Sequence, residues 1–544
     1  MQASREEAKS DSEWNNDILS AIADSFCNAV LDFCSRDGPL RYRWVEYLPS
    51  GTALQTHHFW RELPRKIIDR LKNANILYLH GTSELRKPEN VRTLPLDYLD
   101  DNGSPLFRDR PGRYSKYLSL EYGPENINTL KELFDIGDIE DLAMCHRIKH
   151  DLRCPDSRMK SGETSDNWHS RAAHLIISIL ERSPGTDIET MIFEHLPLIP
   201  LNDGRWVTAI ETNSYFPAET GPAIPQDIVI TIDPESIVNE AREQLFEALG
   251  ATECPPDEVV DKMWEEYSTR DGAADLASSK LHLSYLYWHV EDISDPGFSH
   301  LWIYDDNERR INTRRTDVPV YLPSEDEYGP HALFRGALPE LSVSFLNPGY
   351  LDLISPITRQ TRQHDMSWPD WLKRALRVRD VPRLRFSAGS LSTEFRHILQ
   401  HRPNKIVGTL KTHWATYRPQ MTVSIIEEIK TANVSCWGVS PTQLKFTYFP
   451  TEGLMNESAS LGIVSRFPFL ESDTLLGYTD SPEDCAFLRR FGVQSEANIT
   501  FYLEILRQHE IRPQNAWNWA RADILNTYSS ISDHYSERNK EIIV

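Results

Sequence analysis

The chain is 544 residues long, 40% hydrophobic and 26% charged, with 14 Trp, 21 Tyr and 20 Phe. That length exceeds what one hydrophobic core serves, and that aromatic content excludes a disordered polypeptide. A formal net charge of −23 sets up a field that on average repels nucleic acid and anionic membranes.

The seven cysteines, at 27, 34, 145, 154, 254, 436 and 485, are odd in number and show no framework spacing. They predict reduced thiols and a cytoplasmic or nuclear protein that is not secreted. The opening "MQASREEAKSDSEWNN" is polar and lacks the apolar core of a signal peptide. No window offers 18 uninterrupted apolar residues, so no membrane span is expected.

In chain order, Ile18, Ile22, Phe26, Val30 and Phe33 recur at helical steps and predict an amphipathic helix over 14–35. "RELPRKIIDRLKN" predicts a short helix with Pro64 near its first turn. Residues 76–95, "ILYLHGTSELRKPENVRTLP", then read as a hairpin: an apolar strand, a small-residue turn, a polar return and a closing Leu-Pro. The same plan recurs at 198–217, "LIPLNDGRWVTAIETNSYFP", and at 301–323, "LWIYDDNERRINTRRTDVPVYLP". Pro95, Pro217 and Pro323 end each copy, because proline lacks the N–H that would extend pairing.

Between hairpins, "DNWHSRAAHLIISILERS" (166–183) predicts a helix capped by Asp166, and "KLHLSYLYWHVEDI" (280–293) a helix apolar on nearly all sides and therefore buried. Downstream of each hairpin lies a helix end: "LKELFDI" (130–136), "LFEALGA" (245–251) and "LKRALRV" (372–378), with "FLRRFGV" (487–493) as a fourth. Each keeps apolar residues four apart, and Gly250 and Gly492 stand where a left-handed cap would fall.

The expected fold is α+β: a tandem array of three or four related units, each a small hairpin-bearing sheet packed with helices. The expected divisions are an N-terminal helical segment (1–60), units at 61–160, 161–270 and 271–385, and a C-terminal α+β region (386–544) with a partial fourth unit. Unrelated segments sharing common turn chemistry are the alternative.

Candidate chemistry is sparse. In "CHRIKHDLRC", His146 and His150 lie one helical turn apart and can share a metal, whereas Cys145 fits an apolar stripe as a core residue. "EFRHILQH" sets Glu394, His397 and His401 at similar steps without the adjacent Glu of a zincin, and a solvated helix face is the expected reading. Glu428 and Lys430 form an E-x-K pair with no preceding Pro-Asp, and the paired acids Asp305-Asp306 and Glu325-Asp326-Glu327 read as solvated turns. No phosphate loop, dinucleotide fingerprint, nucleophile elbow or kinase set occurs. The "NDG" tip at 202–204 reads as turn chemistry, since its counterparts "HGTS" and "DDNE" differ. No cofactor is expected.

One local charge anomaly stands out. Residues 371–420 hold eleven Lys or Arg against two Asp or Glu. "KRALRVRDVPRLRF" supplies Lys373, Arg374, Arg377, Arg379, Arg383 and Arg385, with Lys411 further on, and Phe386, Phe395, Trp414 and Tyr417 are interleaved. Such a segment can grip a phosphate backbone and stack bases, dock on the protein's own acidic surface, or meet an anionic partner protein.

"LPLIPLNDGRWVTA", "IDPESIVNEAREQLFEALGATEC", "PDSRMKSGETSDNWHSRAAHL" and "SFLNPGYLDLI" resemble the body of large fungal proteins similar to sacsin and NO VEIN, over roughly residues 14–510. In that group an ATPase domain precedes this region, and its nucleotide site uses an Asn-bearing helix and a D-x-G-x-G turn. "FDIGDIE" and "LNDGRW" depart from that turn, so no ATP-site residue carries over. The resemblance therefore implies the post-ATPase body alone, with a scaffolding or chaperone-like role and protein partners, one of which would carry the ATPase. The leading expectation is a non-catalytic interaction scaffold. The alternatives are a nucleic-acid or anion-binding protein acting through 371–420, and a metal-dependent hydrolase using His146 and His150 or His397 and His401.

Overall fold

The computed structural model describes residues 12–49, 59–109, 117–182, 188–211, 213–269, 275–336, 341–353, 366–386, 389–437, 439–461, 467–471, 486–511 and 521–535. It is mixed helix and short strand, and it divides into two compact units, residues 1–259 and 260–544.

Unit 1 opens on the helix Glu13–Ser35, whose first turn is capped by Ser12 Oγ accepting from Asn15 N at 3.5 Å. By length and composition this helix is long and apolar enough to cross a membrane. The fold gives it another use. Leu19, Ala23, Val30 and Cys34 are buried against the core, together with Leu63, Ile67 and Leu71 of the helix Glu62–Lys72. An ion pair from Asp24 to Arg70 ties the two helices at their rim. The same core takes in Ile76–Leu79 of the first hairpin, Leu118, and Leu130 and Phe134 of the helix Pro124–Phe134. Leu19, Ala23, Val30, Cys34, Tyr42, Trp44, Val45 and Phe59 thus share one core with residues from Leu63 to Ile136. A second core in unit 1 runs from Leu94 to Ala251 and centres on the helix Asp166–Arg182. Its cap is Ser165, whose Oγ accepts from Trp168 N at 3.3 Å; Asp166, expected as the cap, is already inside the helix. In unit 2 the helix Leu276–His289 buries His282, Leu283, Tyr285, Leu286 and Tyr287, as its all-round apolar sequence predicts.

The strands are shorter than expected, mostly two residues each, because turns and prolines crowd them. The first two hairpins pair Leu77–Tyr78 with Leu85–Arg86 and Ile199–Pro200 with Trp206–Val207, both antiparallel. In unit 2, Ile303–Tyr304 pairs with Arg310–Ile311 and Asn433–Cys436 with Val439–Gln443, also antiparallel. This fourth hairpin, "NVSCWGVSPTQ", lies in the C-terminal region where the sequence leads only to a partial fourth unit.

Each hairpin begins a ladder of five segments joined in the order 2-1-4-3-5. The first strand continues into an antiparallel bridge with a later segment: Leu79 with Leu118, Leu201 with Ile232, Asp305 with Leu346, and Cys436 with Leu470. The residue after each of these partners donates its N–H to the first strand, at Tyr78, Pro200, Tyr304 and Ser435, over 2.9–3.0 Å. The partner itself donates to a pre-proline segment: Leu118 to Arg92, Ile232 to Tyr215, Leu346 to Tyr321 and Leu470 to Tyr448, over 2.8–2.9 Å. That segment runs parallel to a fifth, through Thr93 with Asp138, Tyr215 with Thr252, Tyr321 with Arg379, and Tyr448 with Gln494. Two residues beyond lie Pro95, Pro217, Pro323 and Pro450, each ending the pairing for want of an N–H.

The approach to the fifth segment is also alike. In each case a helix ends and one residue turns left-handed: Asp135 (φ 55°), Gly250 (φ 92°), Arg377 (φ 54°) and Gly492 (φ 88°). Glycine adopts this conformation without steric cost, whereas Asp135 and Arg377 carry a Cβ into it.

His169, on the helix Asp166–Arg182, is buried, and its Nδ1 has no hydrogen-bond partner among the described residues. Burial, reinforced by the nearby Arg242, pushes its imidazole below the ordinary value of 6.5. A depressed pKa means that the neutral form stabilises the fold above the unfolded value, and that this stability is lost as pH falls. Unit 1 is expected to lose thermal stability between pH 7 and pH 5. The loss should be smaller in His169→Gln, measured as Tm against pH; an equal loss in both proteins would remove His169 as a source. His80 is depressed in the same direction by burial, so some acid sensitivity remains in the variant.

Candidate anion-binding surface

The basic segment begins in the helix Trp368–Ala375, capped by Ser367 Oγ accepting from Asp370 N at 3.3 Å. Trp368, Trp371, Leu372 and Ala375 face inward, and the two indoles stack at 5.3 Å between ring centroids. Lys373 and Arg374 are left on the outer side by this spacing. The helix ends at Leu376, and Arg314 satisfies its last turn by donating from Nε to Ala375 O at 3.1 Å. After left-handed Arg377 the chain becomes extended. Val378 is buried, while Arg377 and Arg379 are exposed. The backbone of Arg379 donates to Val320 O at 2.9 Å and accepts from Leu322 N at 2.8 Å, which fixes it as the fifth segment of the third ladder. Leu384 is buried again, and Arg385 bridges antiparallel to Leu391.

The cations of this segment divide into two sets. Lys373 pairs with Asp370 at 2.8 Å and Asp380 at 2.9 Å. Arg396 pairs with Glu428 at 2.7 Å, and Lys405 pairs with Glu327. Arg383 reaches Glu394 at 2.9 Å, and that carboxylate is 0% exposed. Glu394 thus belongs to the core, which corrects the solvated helix face expected for "EFRHILQH". Tyr321 Oη also contacts it, at 3.4 Å. In contrast, Arg374, Arg377, Arg379, Arg385, Arg402 and Arg418 are exposed and make no ion pair among the described residues, nor does half-buried Lys411.

The interleaved aromatics are not available for stacking. Phe395 and Tyr417 are buried, Trp414 packs on Phe487 and Phe491, and the Arg383 guanidinium lies 4.6 Å over the Phe386 ring. The expectation of a base-stacking platform is corrected on this point.

The other candidates do not converge. Cys145 is buried in the core as expected, and His146 is exposed on the other side of the helix Asp141–Arg153. Cys154 Sγ lies 3.7 Å from His150 Nε2, a contact that its distance along the helix from His146 does not reveal. His397 and His401 face each other with ring centroids 4.6 Å apart. Among the described residues no three His, Cys, Asp or Glu side chains come together as a metal site. Glu428 is taken by Arg396, whereas Lys430 pairs with Glu427, so the E-x-K pair is split. Asp305 and the "NDG" tip act in turns: Asp305 Oδ1 accepts from Asn307 N at 3.0 Å and Arg309 N at 2.7 Å, and Asp203 Oδ1 from Arg205 N at 3.0 Å.

Over 237 residues the chain is 32% identical to Protein NO VEIN of Arabidopsis thaliana. The chain is NO VEIN-like in that part. The match covers 39% of this chain and 8% of NO VEIN's length, so it reaches only a small part of that protein. No protein-family profile matches the chain, and no solved structure matches it.

Proposed function

We propose that this protein is a non-catalytic interaction scaffold, assembled as a tandem array of four copies of one sheet-and-helix module. The carrying observation is the ladder itself: the same bridges, the same donor positions, the pre-proline segment and the left-handed helix end recur four times. Divisions at 61–160, 161–270, 271–385 and 386–544 enclose one ladder each. Independent segments have no physical reason to share a five-segment order, whereas copies of an ancestral unit inherit it. The partial likeness to NO VEIN supports a NO VEIN-like reading. Under this reading the protein works in the cytoplasm or nucleus by holding partner proteins in a chaperone-like manner, and a separate partner supplies any ATPase activity.

The test is twofold. The purified chain, screened against ATP, phosphate esters, carboxylic esters, peptides and nucleic acids with added divalent metals, is expected to turn over none of them. A turnover abolished by His150→Ala or His397→Ala would overturn the scaffold reading in favour of a hydrolase. Hydrogen exchange should find protected amides at Leu118, Ile232, Leu346 and Leu470, the central donors of the four ladders. Free exchange at one of them would remove that copy from the array.

A further inference from the structure

The four ladders differ most in charge where the fifth segment begins. Arg377 occupies the left-handed position held by Gly250 and Gly492 in two other ladders and by Asp135 in the first. Arg379 stands where Asp138, Thr252 and Gln494 pair. Arg374, three residues before the left-handed position, corresponds to Glu132 and Glu247 in unit 1 and to Arg489 in the fourth ladder, where Arg489 pairs with Glu496 at 2.7 Å. Only in the third ladder do all three places carry guanidinium groups, none of which makes an ion pair among the described residues.

Stability by itself does not favour this arrangement. A Cβ at positive φ is strained relative to glycine, and Arg377 lies within the field of a like charge, Arg314, which adds repulsion. Arg377 keeps both costs, and strain held at an exposed position is a mark of use. The neighbouring cations Lys373, Arg383, Arg396 and Lys405 are all neutralised by the protein's own acids. The unpaired set, which also includes Arg402, Arg418 and Lys411, therefore is not left over from internal docking of the whole segment.

We propose that Arg374, Arg377, Arg379 and Arg385 form a docking surface for a short acidic segment of a partner polypeptide. This names a partner chemistry for the scaffold reading and rests on it. The guanidinium fork matches carboxylate geometry and stays charged at every physiological pH. A nucleic acid fits less well for two reasons. The rings that would stack bases are buried or already covered. A polyanion long enough to bind would also extend into the field of a chain whose net charge is −23 despite this segment. A short acidic peptide meets the local surface alone.

The experiment uses the full chain and a fluorescein-labelled octaglutamate peptide, with single- and double-stranded DNA oligonucleotides as comparators, titrated at low and high ionic strength by anisotropy. The variant is Arg377→Gly with Arg379→Gln. Both substitutions install residues that the same backbone positions carry elsewhere in this chain, so the fold is expected to persist and Tm to hold or rise. The peptide should bind at low salt and weaken as salt rises, and the double variant should bind it roughly tenfold more weakly or worse, since charge-assisted contacts are the strong ones. Arg374→Gln, on the exposed side of its helix, provides a second variant expected to weaken binding while Tm stays constant. No peptide binding at low salt would overturn the surface, as would equal binding by wild type and both variants, or tighter binding of DNA than of peptide. If the peptide fails to bind while the activity screen also finds nothing, this surface falls and the scaffold reading stands.

Discussion

Arg383→Leu is expected to destabilise unit 2 by about 3–5 kcal/mol, because it strands a buried charge. Glu394 is 0% exposed, and Arg383 is its ion-pair partner at 2.9 Å. Tyr321 Oη at 3.4 Å is too distant to replace that partner. Without the guanidinium, the carboxylate keeps only the bond from Thr393 Oγ1 at 3.1 Å, and it must stay desolvated without a counter-charge or open the packing around Phe395 and Ile398 to admit water. Removing both charges is a different perturbation. Arg383→Met with Glu394→Leu is expected to recover most of the loss, since replacing a buried pair by apolar groups of similar volume is often neutral. Urea unfolding of the single and double variants measures this as a coupling energy. A single variant within about 1 kcal/mol of wild type, comparable to an exposed ion pair, would show that Glu394 is solvated.

The second large effect is expected at Asp151, near the end of the helix Asp141–Arg153. Its carboxylate accepts from Ser157 Oγ at 2.8 Å, Arg158 N at 3.1 Å and Met159 N at 3.1 Å. These bonds fold the turn that leaves the helix. That turn seats Met159 in the core and lays the Arg158 guanidinium 4.7 Å over the Trp168 ring. Asp151→Ala leaves two backbone N–H groups without their acceptor and should cost about 2–4 kcal/mol, since a lost bond to a charged group carries the larger penalty. Asp151→Asn should fall between. One of its two acceptor positions becomes an NH2 group, which faces a donor. Denaturant midpoints in the order wild type, Asn, Ala are the expected outcome, and an Ala midpoint equal to wild type would mean the turn holds itself.

The contrast between these residues shows where sequence reading reaches. Asp151 sits among "CHRIKHDLRC", where the two histidines draw attention, yet the carboxylate does the structural work through partners six to eight residues later. Glu394 has a helical neighbour pattern typical of an exposed face, and only its pairing with Arg383 explains its burial. The fourth hairpin carries one legible signal. "TYFP" at 447–450 repeats "SYFP" at 214–217, but its turn lacks the Asn-Gly or Asp-Gly chemistry that marks a tight hairpin.

What the sequence determined by itself was local: most helix faces from apolar spacing, though not that of Glu13–Ser35, where the expected Ile18 and Ile22 are exposed and Leu19, Ala23 and Cys34 are buried instead; three hairpins from turn residues between apolar runs; strand ends from proline; and a surplus of positive charge at 371–420. These arise from periodicity and backbone preference, which act between residues close in the chain. The tertiary structure decided the parallel junctions that close each ladder, the burial of Glu394, the withdrawal of Phe395 and Tyr417 from solvent, the packing of Trp414 on Phe487 and Phe491, and which arginines keep their charge unmatched. Each of these depends on contacts between residues far apart in sequence, where loop closure and packing outweigh local preference.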